Sequence, residues 1–201
     1  MRRSTWSGGW LIGVLIGVQV VAAARPAPGQ ERLRAGMKDL GIAGGYSISH
    51  RTHAGGDDVD GWHVLPHLGF VLTDEQGPGW WRGNFELLAE PMLVHFRSDR
   101  DSGTAGGLAA LGRWVFATPG VVRPYLEAGV GLLGGQLNFR QTNCDVNYLF
   151  EVGPGVLWFV SDTTAVTLGY RFQHVSNGDA CDKNLGLNSS VFILGISHFF
   201  P

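Results

Sequence analysis

The chain has 201 residues, enough for one domain, with 44% hydrophobic and only 16% charged residues and a formal net charge of −2. Glycine occupies 31 positions, roughly twice the ~7% share of ordinary proteins, without the Gly-X-Y period of collagen. An aromatic content of 11% excludes a disordered chain, which lacks the apolar surface to offset ordering entropy, and the lack of basic excess argues against a nucleic-acid partner.

The first segment reads as an address. Arg2 and Arg3 open the chain, and no acidic residue precedes Glu31. Gly8 to Val21 is apolar but for Gln19 and closes on Ala22-Ala23-Ala24. A basic start, a short apolar stretch and small residues at its end describe a secretory signal peptide over residues 1–24; the stretch falls short of the ~20 residues of a membrane-spanning helix. Cleavage after Ala24 removes two arginines and no acid, leaving 177 of the 201 residues at a formal charge of −4.

Beyond this segment no apolar run is long enough for a spanning helix, and period-two alternation takes over. Gly44–His50 is a weak first strand. In Trp62–Leu72 the even positions Trp62, Val64, Pro66, Leu68, Phe70 and Leu72 are apolar, with His63 and His67 on the other face. Over Trp80–Ala89, Trp81, Phe85 and Leu87 oppose Arg82, Asn84 and Glu86, and over Leu108–Phe116, Leu108, Ala110, Trp114 and Phe116 oppose Arg113. Leu126, Ala128, Val130 and Leu132 then oppose Glu127 and two glycines. Tyr148, Phe150, Val152, Val156 and Trp158 oppose Glu151, Gly153 and Gly155. Val166, Leu168, Tyr170 and Phe172 oppose Thr167, Arg171 and Gln173, and a weaker stretch, Leu187–Phe200, closes the chain.

Eight such segments after an export signal predict an all-β fold, an eight-stranded antiparallel transmembrane β-barrel in the Gram-negative outer membrane. One face of each strand is aliphatic and aromatic, while the other mixes glycine with single charges, which suits a narrow barrel whose interior side chains fill it. A soluble lipocalin-like barrel would line a cavity with its apolar face and keep its charges outside. The organisation is therefore a signal peptide over 1–24, an N-terminal periplasmic segment over 25–43 and the barrel over 44–201. Arg113, Glu127, Glu151 and Arg171 are expected to pair inside it. Trp80-Trp81 reads as part of an aromatic girdle, and His63, His67, His95 and His198, without ligand spacing, as barrel or rim residues.

Short turns at Asp74–Gly79, Thr118–Arg123 and Ser161–Thr163 are expected at the periplasm. The longer connections around Arg51–Gly61, Arg97–Ala105, Arg140–Asp145 and Asn177–Gly186 are expected outside. The two cysteines, Cys144 and Cys181, fall in two of these outer loops. Zinc needs about four ligands, so one disulfide in an oxidising compartment is the simpler reading, and no metal is expected.

Strand seven ends Phe172-Gln173-His174-Val175-Ser176-Asn177. By parity His174 and Ser176 continue the lipid-facing row of Val166, Leu168, Tyr170 and Phe172. A polar pair there is costly unless it is functional or sits at headgroup level. Their Cα atoms lie ~6.5–7 Å apart on one face, so the imidazole could act as base for the Ser hydroxyl. An esterase working on lipopolysaccharide needs its site at that edge. If strands seven and eight form a hairpin centred near Cys181, Asn188 faces His174. An amide there can orient the ring without neutralising it, so the third member stays open, with Asp179 and Asp182 as alternatives if the loop folds back.

His174-Val-Ser176-Asn177, followed by Asn184-Leu-Gly186-Leu-Asn188 and a terminal strand, resembles the PagL-type lipid A 3-O-deacylases, which are eight-stranded outer-membrane barrels. The resemblance implies metal-free, cofactor-free hydrolysis of the 3-position ester of lipid A, with release of a 3-hydroxyacyl chain. On the family pattern His174 is the base and Ser176 the nucleophile, and Asn177 and Asn184 supply oxyanion donors. Asn188 departs from that pattern, standing where the family's triad has Glu. The implied partners are lipopolysaccharide and the outer membrane, with a second copy of the chain as a candidate homodimer partner. The alternative is a small outer-membrane barrel with a structural or adhesive role and no enzyme activity.

Overall fold

The structure is a computed structural model that describes residues 33–50 and 56–201; the signal peptide, residues 25–32 of the segment 25–43 and part of the first loop lie outside the described residues. Eight strands follow in order: β1 (Lys38–Ser49), β2 (Val59–Val71), β3 (Gly83–Ser98), β4 (Ser102–Phe116), β5 (Val122–Gly135), β6 (Val146–Phe159), β7 (Thr164–Ser176) and β8 (Leu187–Phe200). Each pairs antiparallel with its neighbour, and β8 returns to pair with β1, closing the barrel. Closure leaves no sheet edge with unpaired backbone groups, the condition for a sheet to sit in hydrocarbon. Strands of 12 to 16 residues exceed the ~9–11 that a tilted strand needs to cross the core of a bilayer. No helix among the described residues is long and apolar enough to cross a membrane.

The alternation in the sequence becomes an inside and an outside. Along β2 every odd residue from Val59 to Val71 is buried and every even one is exposed. Leu40, Ile42, Trp62, Val64, Val130, Leu132 and Leu194 all stand outward and exposed. A surface this apolar suits lipid rather than water. The interior has three layers. Leu33, Met37, Val71, Val121, Phe159 and Phe199 plug the end where β1 begins and β8 ends. Leu137, Phe139, Leu149, Val175 and Leu187 belong to a second apolar cluster that fills the opposite, loop-bearing end.

Between the plugs lies an ionic layer. Glu127 joins the two guanidiniums, at 3.0 Å from Arg113 and 2.7 Å from Arg171. Arg113 also meets Glu86 at 3.2 Å and Asp39 at 3.7 Å, and Arg171 meets Glu90 at 2.6 Å and Glu151 at 3.2 Å. Gln173 donates to Glu151 at 2.8 Å, and the Arg113 guanidinium lies over the Tyr125 ring at 4.5 Å. The interior is thus packed with protein rather than open as a channel. The expected pairing of Arg113, Glu127, Glu151 and Arg171 is present, joined by Asp39, Glu86 and Glu90.

Three boundaries differ from the sequence expectation. The barrel starts at Lys38 rather than residue 44: the charges of Lys38 and Asp39 disguise the alternation, yet Leu40 and Ile42 face outward while Asp39 turns inward to His67 at 3.1 Å. The long loop expected over Arg97–Ala105 is a tight turn at residues 99–101, braced by Ser98 Oγ, which accepts from the Asp101 amide at 3.1 Å. Small residues at the head of β4 (Gly103, Gly106 and Gly107) gave the alternation nothing to register. Trp80 and Trp81 sit in a 3-10 turn, Gly79–Trp81, that precedes β3, where Trp81 stacks on Trp114 with ring centroids 6.0 Å apart.

Candidate active site

β7 and β8 pair so that His174 lies directly across from Asn188, the register expected for a hairpin centred near Cys181. Buried Gln173, Val175, Leu187 and Ser189 alternate with half-buried His174, Ser176 and Asn188, so all three of these candidates share the outer face. They stand at the loop-bearing end of the barrel, beside outward Tyr148 and Phe150 of β6, which pair with Ser176 and His174.

His174 Nδ1 and Asn188 Oδ1 are 2.6 Å apart. An amide oxygen can only accept, so Nδ1 carries the hydrogen and donates it. That fixes the neutral tautomer in which Nε2 keeps its lone pair, the form a general base requires. Gly186, at φ +73°, packs against the same ring: a Cβ there would sit 2.8 Å from His174 Cε1. Glycine takes both the left-handed backbone and the contact without strain, whereas a side chain would press on the ring. The imidazole is therefore held between an amide on β8 and a bare backbone in the loop. Among the described residues no hydrogen bond joins Ser176 to His174; the two share a face without a preformed bond.

The loop between β7 and β8 is clamped to the one between β5 and β6. Cys144 and Cys181 form a disulfide with Cα atoms 5.7 Å apart. Thr142 and Asn184 form an isolated bridge, and the Leu185 amide donates to the Gln141 carbonyl at 2.9 Å. Asn177 is buried, and its amide groups are committed locally: its backbone N–H donates to Asn184 Oδ1 at 2.9 Å, and its Nδ2 to the Lys183 carbonyl at 2.7 Å and Thr142 Oγ1 at 3.2 Å. Asn184 Nδ2 donates to Asp179 Oδ1 at 2.8 Å. Asp179 is thereby engaged by Asn184, and Asp182 is exposed; the ring's bond goes to Asn188 on the strand rather than to either loop carboxylate.

The sequence names Gly186 within a motif but not its role, which lies in a backbone angle and a contact. The sequence reading missed a polar chain beside Asn188, in which Ser190 Oγ lies 2.8 Å from His50 Nε2 and 3.0 Å from the Tyr170 hydroxyl.

The family model for lipid A 3-O-deacylase (PagL) matches residues 44–197, most of the barrel and every candidate residue above. The chain belongs to that family. Membership makes it an ester hydrolase of lipid A, and an integral β-barrel of the outer membrane. Solved structures agree on the fold. The outer membrane enzyme PagL superposes with a TM-score of 0.57 at 16% identity, over 78% of this chain and 97% of that one. Neisserial surface protein A (NspA) does so with a TM-score of 0.59 at 14% identity, over 82% and 99%. No curated protein matches the chain.

Proposed function

We propose that the PagL-family chemistry of this chain is carried by Ser176 as nucleophile and His174 as general base, with Asn188 as the group that orients the imidazole. The observation that supports this most directly is the 2.6 Å bond from His174 Nδ1 to Asn188 Oδ1, which puts the hydrogen of the neutral ring on Nδ1 and leaves the lone pair on Nε2, with the ring on the same face as Ser176. With the start of β1 and the end of β8 at the periplasm, this end of the barrel lies at the outer leaflet, where the ester linkages of lipid A run beside the strands.

In the first half-reaction Ser176 Oγ attacks the ester carbonyl carbon at the 3-position while His174 Nε2 takes the hydroxyl proton. The tetrahedral adduct collapses with cleavage of the carbonyl-to-sugar-oxygen bond. The departing sugar oxygen takes the proton from the imidazolium, leaving an acyl group on Ser176. In the second half water attacks that acyl group, its proton passes to Nε2, and the fatty acid leaves as Ser176 recovers the proton. Asn184 fits as an oxyanion donor, because its Nδ2 carries a second N–H beyond the one given to Asp179. Asn177 fits better as the residue that pins the loop, since its own donors are spent on Asn184, Thr142 and Lys183.

An amide at the third position orients the ring but cannot offset the imidazolium charge, and the loss of a triad carboxylate in a serine protease costs ~10⁴ in kcat. Asn188→Glu is therefore expected to raise the deacylation rate by about tenfold or more. The assignment itself is tested by labelling the detergent-solubilised protein with a fluorophosphonate and mapping the adduct. Label on Ser176 that disappears in His174→Ala is expected. Label on Ser190, the other outward serine close to a histidine, would overturn it.

A further inference from the structure

The outer face beside His174, Ser176 and Asn188 carries a second group of polar side chains. Ser190 stands on β8 two residues from Asn188 and across from Phe172 of β7. Its hydroxyl bonds to His50 Nε2 at 2.8 Å and to the Tyr170 hydroxyl at 3.0 Å. His50 in turn lies over Phe172, with ring centroids 6.1 Å apart, and its backbone N–H donates to the Asn188 carbonyl at 2.7 Å. Three polar side chains from β7, β8 and the end of β1 thus form one hydrogen-bonded chain on the outer surface, contiguous with Asn188.

Its depth makes this chain unusual. Ser190 lies at the level of Phe172, two residues or ~7 Å below His174 toward the middle of the barrel wall, and the Tyr170 hydroxyl meets it there. Polar groups on the lipid side of a barrel are costly there unless something uses them. Apolar troughs flank it. On one side Phe192, Leu194, Gly44, Tyr46 and Trp62 line a cavity of about 380 Å³, and a side chain at Gly44 would meet open space. On the other, Tyr170 borders a second apolar cavity of about 460 Å³ with Val152, Pro154, Leu126 and Ala128. Tyr170 also packs on Phe192, with ring centroids 5.7 Å apart, so this aromatic pair forms a ridge between the two.

An acyl chain has one polar part, the carbonyl or hydroxyl next to the sugar, followed by a long apolar tail. A polar spot at the head of an apolar trough matches that sequence of groups. We propose that Ser190, held between His50 and Tyr170, is a positioning residue that hydrogen-bonds the sugar-proximal carbonyl or hydroxyl of a second acyl chain of the same lipid A. That chain's tail lies in the trough beside Phe192, and the contact holds the 3-position ester over Ser176. The proposal rests on the Ser176–His174 reading of the site.

The test is steady-state deacylation of lipid A in mixed micelles by Ser190→Ala and Ser190→Thr, with Tyr170→Phe as a second variant that removes only a hydroxyl. Loss of one hydrogen bond to bound substrate is expected to raise KM about three- to tenfold while kcat changes much less, and Thr, which keeps a hydroxyl, restores KM. Lipid A made with and without a hydroxyl on the neighbouring chain separates the two sources. A loss confined to the hydroxylated substrate assigns the hydroxyl, and an equal loss on both assigns the carbonyl. An unchanged KM in both Ser190→Ala and Tyr170→Phe, or a fall in kcat with KM unaltered, overturns the proposal. Failure of the underlying reading shows separately, as activity that survives Ser176→Ala.

Discussion

The two faces of β7 carry polar residues of opposite character. Arg171 and Gln173 point inward and close on protein partners: Arg171 reaches Glu90, Glu127 and Glu151, and Gln173 reaches Glu151. His174 and Ser176, three residues further on each time, point outward, where one bond orients the imidazole and the hydroxyl has no bond to it. A buried ion pair that is satisfied on all sides has nothing left to offer a ligand, and its removal is felt as instability. An oriented base with a free lone pair beside a hydroxyl offers both to whatever lies against the wall. On the proposed assignment, polar residues on one strand serve folding or chemistry according to parity, and substitutions on the two faces are expected to fail in different ways.

The largest effect is expected from His174→Ala, which lowers deacylation by more than about 10³-fold while leaving the thermal unfolding of the barrel unchanged. Its inward counterpart, Arg171→Met, strands Glu90 and Glu151 without their cation and leaves Glu127 to Arg113 alone. It is expected to cost about 3–5 kcal/mol in denaturant unfolding, detected as loss of the compact form on a cold detergent gel. Cys144→Ser opens the clamp between the β5–β6 and β7–β8 loops, which are bridged across 37 positions of sequence. It is expected to remove about 2–4 kcal/mol, with the same shift produced by reducing agent. Gly186→Ala is the smallest change and the sharpest probe of the outer face. Its methyl group must displace the His174 ring or the loop, so deacylation is expected to fall about 10- to 100-fold with little change in unfolding temperature. Equal losses of stability and activity across His174→Ala and Arg171→Met would erase the contrast between the faces.

Much of this was legible from parity. A strand puts alternate residues on opposite faces, so Arg171 inward and His174 outward follow once the apolar row Val166, Leu168, Tyr170, Phe172 is recognised. The pairing of His174 with Asn188 followed as well, because one hairpin centre sets every facing pair. Parity says nothing where side chains are small or charged, which hid the heads of β1 and β4. It also cannot report neighbours across strands. Asn188-Ser189-Ser190 reads as a polar run without pattern, and only the closure of β8 on β1 brings His50 to Ser190. Gly186 belongs to the motif Asn184-Leu-Gly186-Leu-Asn188, but its role depends on a φ of +73° and a ring against it.

The central claim, that the outward Ser176 carries out ester cleavage on lipid A, is tested most directly by the lipid itself. The protein and its Ser176→Ala variant would be expressed in a Gram-negative host whose lipid A is fully acylated, the folded barrel confirmed in the outer membrane in both, and the lipid A masses compared. Loss of one ester-linked acyl chain with the wild type, and intact lipid A with Ser176→Ala, is the predicted result. Equal deacylation by both proteins, or intact lipid A in both with the barrel folded in the membrane, would contradict it.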